Sequence, residues 1–547
     1  MSRPFDVICM GRAAVDLYGD QIGGRLEDMQ SFSKYMGGSP ANTAVGVARL
    51  GLKPAMLTRV GDEHNGRFVR ETLAAEGVDT SHVKTDPKRL TALVFLGIQD
   101  RETFPLVFYR DNCADMGLEA GDFDGAFIAS ATALLLSGTH LSQPRTHEAC
   151  RAAMALARQH GTRIVLDIDY RPVLWGLTSP GMGEQRFIAD DKVTAHLQSV
   201  ISDCDLVVGT EEEIHIAGGS TDTLQALRNL RALTKALLVV KRGPMGCVAF
   251  EGAIPASIED GLKGPGFPVE VFNVLGAGDA FMAGFLRGWL KDEPVLRCCA
   301  WANACGALVV SRHGCAPAMA SWPELQHFLE HGSPTLRLRE DALLEHIHRA
   351  TNRARRWDEL VILAFDHRVQ LQEIAARHGR GEDTIRAFKH LIAKGARRGA
   401  AGRPGAGVIL DGRFGEDVLP SLTGKGWWVA RPVELPGSRP LAFEAGEQLV
   451  IEMRSWPAEH VAKCLVSWHP NDPAALRQTQ LARLAQLQAA CVATHHECLI
   501  EVIPPRDMSR DASTLATSLR QIYAAGIRPD WWKLPPCDSD AEWEAIA

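Results

Sequence analysis

No stretch of this 547-residue sequence stays apolar for the ~20 residues that a helix needs to cross a bilayer. The opening residues, MSRPFDVICMG, have no long apolar core or small-residue cleavage site and run straight into a strand-like segment. Cys-x-x-Cys spacing is absent among 13 scattered cysteines, so zinc knuckles and ribbons are excluded. Adjacent Cys298 and Cys299, with Cys305 beyond, read as buried free thiols. Neither sign of charge dominates: a formal charge of -7 gives no general reason to expect nucleic acid or an anionic membrane as partner. Gly-x-x-x-x-Gly-Lys-[Ser/Thr] is missing too, which argues against a P-loop kinase. Together these absences lead to the expectation of a reduced, soluble, cytoplasmic protein.

What is present is alternation of strands and helices in a chain too long for one core. Strand-like runs fall at 5–11, 54–61, 133–138, 163–169, 205–209, 236–243 and 246–252, with helices such as Ala41–Leu50 and His147–His160 between them. This predicts a parallel sheet covered by helices. Residues 12–36 and 90–110 break the rhythm as extended, polar-alternating segments, which suit a small β lid whose outer face serves a homodimer. Residues 1–328 thus form one domain and 329–358 a charged connector. A second series follows over 359–547, with runs at 360–368, 406–415, 427–435, 461–470, 498–505 and 529–536. Its βα repetition predicts a (β/α) barrel, of which only six strands are visible.

The stretch NVLGAGDAF (273–281) places Asp279 behind a nearly bare loop, at the entrance to an apolar helix. Backbone N–H groups of such a loop and helix start make an anion cradle, and an aspartate there can accept a hydroxyl proton. It can equally be a helix N-cap. A second stretch, MGGSPANTAVGVARLG (36–51), sets a glycine pair and Asn42 at another helix start.

In this order the two stretches resemble the ribokinase-like (PfkB) sugar kinases across the first domain. The resemblance implies a three-layer α/β/α fold with a small β lid, followed here by a partial TIM-barrel-like domain. It implies ATP and Mg²⁺ as cofactors, and leaves a monovalent cation open. Carried over by position, Asp279 is the base and Gly276, Ala277 and Gly278 line the anion hole. Asn303, Lys241 and Gly243 fall on the ATP side, and Asp16, Gly38 and Asn42 around the sugar. The family's Asn-x-x-Glu is altered to VGTEEE, leaving Glu212 (or Glu213) to organise Mg²⁺ through water. Arg171, in LDIDYRPVLW, could grip a carboxylate or simply pair with Asp169. These stretches look closest to kinases of keto-deoxy sugar acids: 5-dehydro-2-deoxygluconate of inositol breakdown first, 2-dehydro-3-deoxygluconate as the alternative.

In the second series, strand ends carry Asp366, Lys463, Glu501 and Lys533, a set that resembles the lysine-dependent class I aldolases. Lys533, packed after two tryptophans, would form a Schiff base once desolvation and its neighbour Lys463 lower its pKa. Glu501 would shuttle protons and Asp366 assist cleavage. The same charges could equally be barrel salt bridges, or the domain a scaffold without activity. A metal aldolase through His367, His469 and His495 or His496 ranks below the lysine route for want of ligand spacing. A regulator is the rival of another class, because 371–398 has helix–turn–helix character; Lys389, Lys394, Arg397 and Arg398 would then face a DNA groove.

Overall fold

The computed structural model describes residues 3–546 apart from 101, 354, 401 and 538. It divides into two compact units, Met1–Ala354 and Arg355–Ala547.

In the first unit the strands are β1 (Phe5–Met10), β2 (Ala14–Gly19), β3 (Phe32–Gly37), β4 (Pro54–Gly61), β5 (Val83–Asp86), β6 (Ala92–Leu96) and β7 (Leu106–Tyr109). They continue as β8 (Ala131–Ser137), β9 (Arg163–Asp167), β10 (Leu206–Thr210), β11 (Leu237–Lys241), β12 (Cys247–Phe250) and β13 (Leu262–Gly264). Nine of them form one sheet in the order β13-β12-β11-β10-β9-β8-β1-β4-β5. Pairing is parallel from β11 to β5. β12 and β13 depart from the expected parallel sheet and run antiparallel. The link Arg242–Gly246 explains this, since a parallel crossover needs a dozen residues or more and a hairpin only a few.

Both faces of the sheet are covered, so its strands read as continuous apolar runs rather than alternating ones. Val7 and Cys9 join a core with helices Ser39–Arg49, Ala277–Trp289 and Val295–Val310. Ile8 and Met10 point the other way, to a core with Pro144–His160, Asp191–Ile201 and Thr223–Leu233. The β lid is a separate four-stranded sheet, β3-β2-β6-β7, packed on Tyr18, Val94 and Leu106.

Helices Trp322–His331 and Ala342–Thr351 overlap the segment expected to connect the domains and pack on the first unit. Arg312 meets Glu324 and Glu345 at 2.7 Å each, His348 meets Glu324 at 2.7 Å, and Leu338 and Leu344 enter the core of that unit.

The second unit contains β14 (Val361–Ala364), β15 (Ala406–Ile409), β16 (Trp428–Pro432), β17 (His460–Ser467), β18 (Glu497–Ile503) and β19 (Trp531–Lys533). All six pair in parallel and in sequential order, the pattern of a partial (β/α) barrel. One face carries Ile409, Ala430, Val461 and Leu499. Ala462, Cys464, Cys498 and Ile500 alternate to the other face, in a core with Leu484 and Leu487 of helix Ala474–Thr494.

Candidate active site

The helix Ala277–Trp289 begins at Gly276, whose φ is 87°. A Cβ there would stand 2.1 Å from Cys315 Sγ, so both backbone shape and space demand glycine. The first-turn N–H groups of such a helix lack intrahelical acceptors and face outward with the positive end of the dipole. Asp279 lies in this first turn. Asn42 Nδ2 donates to Asp279 Oδ2 at 2.8 Å, across 237 residues of sequence. The two glycine-rich stretches therefore meet in space: Asn42 aligns the carboxylate of Asp279.

The glycine pair before Asn42 makes room. At Gly38, with φ 99°, a Cβ would lie 2.4 Å from the carbonyl oxygen of Arg12, and at Gly37 one would strike the Asp16 carboxylate at 2.1 Å. Larger residues would push Arg12 and Asp16 out of the cleft. What results is a cavity of about 390 Å³.

Its electrostatics are dominated by crowded acids. Burial raises the pKa of Asp279, and nearby Asp169 adds to the effect, while Asn42, Ser39 and Cys315 hydrogen bonds oppose it. Asp16 is pushed up to about 7, mainly by burial, with Arg12 pulling down and Asp279 pushing up. Lys241 pairs with Asp167 at 3.1 Å and Glu213 at 3.6 Å; despite its burial these acids hold its ammonium well above the usual lysine range. That fixed cation lies beside the first turn of the helix, 3.3 Å from where a Cβ on Gly278 would be. Glu213 caps its helix with Thr210 and accepts from the amides of Thr210 (2.7 Å) and Tyr170 (3.2 Å). Burial alone would push this carboxyl up, but Lys241 and those amides keep it below the ordinary range.

Of the residues expected from sequence, Asp279, Gly276, Ala277, Gly278, Lys241, Asp16, Gly38, Asn42, Arg171 and Glu212 all line this one cavity. Asn303 and Gly243 are not among its lining residues. Asn303 Nδ2 lies 3.3 Å from Cys247 Sγ, and Gly243 is exposed at the turn after β11. Asp169 accepts from Ser137 (2.8 Å) and Thr139 (3.3 Å). Sequence reasoning missed Arg12, Asp167, Arg186 and Cys315, which also line the cavity. Arg12 was within reach, four residues before Asp16 in GRAAVD. Arg186 was not, because it comes from an irregular segment with no periodic signal. Its pKa falls to about 10, first because Arg171 is close and second because it is buried.

A family model described as pfkB family carbohydrate kinase matches residues 5–322. The chain belongs to that family. The 5-dehydro-2-deoxygluconokinase of Geobacillus kaustophilus (strain HTA426) is 34% identical over 333 residues, covering 60% of this chain and 94% of the relative. The protein of the same name from Bacillus subtilis (strain 168) is 30% identical over 333 residues, covering 60% and 97%. Among solved structures, a putative ribokinase II from E. coli in complex with ATP and Mg²⁺ is 23% identical with a TM-score of 0.53, covering 60% of this chain and 99% of its own. A fructokinase from Xylella fastidiosa with bound ATP is 24% identical with a TM-score of 0.50, covering 59% and 98%. These two likenesses establish the fold of the kinase unit.

Beyond the kinase unit, strand alternation gathers a second polar cluster. Lys463 Nζ contacts Glu501 at 2.9 Å, Asp366 at 3.1 Å and Glu434 at 3.4 Å. Burial opposes its charge, yet these three acids hold it protonated well above the usual range. Lys533 meets the other oxygen of Glu501 at 2.5 Å and is 38% exposed, so the desolvation expected of it is partial. Arg368 pairs with Glu434 at 2.8 Å and Glu444 at 2.5 Å. Glu434 and Arg368 were not foreseen; Glu434 sits two residues past β16, on the alternation that also places Lys463. Among the described residues no three His, Cys, Asp or Glu gather as a metal-binding group. Lys389 is fully buried, bonded to the carbonyls of Phe365 and His367 and to Asp411, so the basic helix cannot present it to DNA phosphates. A model described as an uncharacterized protein conserved in bacteria (DUF2090) matches residues 324–547.

Proposed function

We propose that the kinase unit transfers the γ-phosphoryl group of ATP to the 6-hydroxyl of 5-dehydro-2-deoxy-D-gluconate. The carrying observation is Asp279, aligned by Asn42 at a bare helix start inside a cleft of the right size for a sugar. The names of the relatives supply the substrate, and those of the solved neighbours support ATP and Mg²⁺.

In the reaction Asp279 accepts the hydroxyl proton as that oxygen bonds to the γ-phosphorus. The bond from phosphorus to the bridging oxygen breaks, and ADP departs with its electron pair. First-turn amides and the fixed ammonium of Lys241 face the charge on the migrating group. Burial helps Asp279 by making it a stronger base than an exposed carboxylate. When bound, Mg²⁺ neutralises phosphate charge. The acids here fit an ion held mainly by phosphate oxygens and water, because Glu213 is engaged by Lys241 and two amides while Glu212 is exposed at the cavity rim.

A screen of keto-deoxy sugar acids, reading ADP release and product mass, tests the assignment. The wild type should favour 5-dehydro-2-deoxygluconate over 2-dehydro-3-deoxygluconate, and Asp279→Asn should lose roughly 10²–10⁴ in kcat with KM little changed. Full activity in the asparagine variant, or turnover of no keto-deoxy acid by the wild type, rejects it.

For the second unit we propose a retro-aldol cleavage of the phosphorylated product, supported by the Lys533–Glu501–Lys463–Asp366 array. Lys533 condenses with the C5 ketone and releases water; Lys463, locked as a cation, cannot serve as the nucleophile. Asp366 takes the proton of the C3 hydroxyl as the C3–C4 bond breaks, which frees malonate semialdehyde. The proton taken by Asp366 is relayed by way of Lys463 and Glu501 to C4, and hydrolysis of the Schiff base releases dihydroxyacetone phosphate and the free Lys533.

A further inference from the structure

Arg12 lies two residues past the end of β1 and is only 8% exposed. Its Nε and Nη1 have no hydrogen-bond partner. The guanidinium lies 5.2 Å from the ring centre of Phe108, on lid strand β7, and lines the cleft that holds Asp279. Asp169 and Asp16 are near enough to be felt electrostatically, but neither gives an acceptor to those two N–H groups. Burial lowers the arginine's pKa, as expected for a cation deprived of water.

A buried charge is strongly unfavourable unless it is paired and hydrogen-bonded. The guanidinium thus carries a charge with no hydrogen-bonded counter-ion from the protein on those two donors, and the cavity that Arg12 lines is where an anionic ligand can approach it. A carboxylate supplies charge and acceptors at once, in the planar geometry that arginine matches. We propose that Arg12 anchors the carboxylate of the sugar-acid substrate, and so sets the enzyme's preference for acids over neutral sugars. This rests on the sugar-kinase reading above. Arg12, Asp16 and Asp279 line the same cavity, so a ligand held by its carboxylate at Arg12 can offer its hydroxyl to Asp279 within it. Arg171, nominated by sequence for the same grip, is only partly buried.

The test compares full-length wild type, Arg12→Met, Arg12→Lys and Arg171→Met. The substrates are the keto-deoxy sugar acid and its counterpart with the carboxylate reduced to a primary alcohol. Arg12→Met should raise KM for the acid about 100-fold, with kcat and the KM for the neutral counterpart within about threefold of wild type. Arg12→Lys should recover part of the loss, and it gives the readout if the methionine variant melts early. An equal loss on both substrates means a structural role and overturns the proposal. So does an acid-specific loss found in Arg171→Met but not in Arg12→Met. If the wild type phosphorylates no sugar acid, the substrate reading itself fails; normal wild-type turnover with an unchanged acid KM in Arg12→Met sinks only the anchor.

Discussion

Gly276 concentrates two constraints in one residue: a backbone in the left-handed region and a neighbouring sulfur where a methyl group would go. Gly276→Ala must strain the turn and displace Cys315, which touches Asp279 at 3.5 Å. We expect it to cost about 1–3 kcal/mol of stability and to lower kcat/KM more than 10-fold, because the amides of the cradle move with the turn. Melting temperature and steady-state kinetics on the same preparation check both halves. At this scale the sequence was legible where function uses a local pattern. Asp279 and Asn42 announce themselves through flanking glycines. Arg12 stands close to Asp16 in the sequence, but its distinction, a pair of unsatisfied donors, exists only once it is folded in beside Phe108 of the lid.

Among elements, the helix Trp322–His331 shows how a buried charge ties a peripheral segment down. Burial would push Glu324 up, but Arg312 and His348 outweigh it and hold the carboxyl at about 2, against 4.5 for an ordinary glutamate. A depressed folded-state pKa gives stability that is complete above the unfolded value and lost as pH falls. The window is thus from about 4.5 down to 2, and the amount is about 3 kcal/mol. The melting temperature of the first unit should therefore drop as pH is taken from 5 to 3, and Glu324→Gln should melt lower at pH 7 and respond less to acid. A variant with the wild-type acid response would remove Glu324 from this role. Sequence composition made 329–358, which joins the same cluster through Glu345 and His348, look like a charged connector, because the partners of those two residues, Arg312 and Glu324, lie outside it. The antiparallel turn into β12 was hidden for a similar reason: strand-like composition says nothing of direction, and only the short link reveals it.

Over the whole molecule, each unit closes its own hydrophobic clusters, as two separately packed domains do. Borohydride added to the full chain with dihydroxyacetone phosphate should reduce a Schiff base to a stable adduct, found on the Lys533 peptide by mass. Lys533→Arg should abolish the adduct while sugar phosphorylation continues. Adduct on Lys463 instead, or none in the wild type, would refute the assignment. The six-strand succession was readable because parallel βα repetition leaves regular apolar runs; the salt-linked array at the strand ends was readable only in part, since Glu434 and Arg368 acquire meaning through Lys463. With burial pushing Asp16 up to about 7 and Asp167 also upward, the cleft has no single charge state near neutral pH: its proton inventory drifts across the range in which assays are run. Ligand affinities for this cleft are therefore properties of the buffer's pH as much as of the ligand, and only values taken at one pH can be ranked.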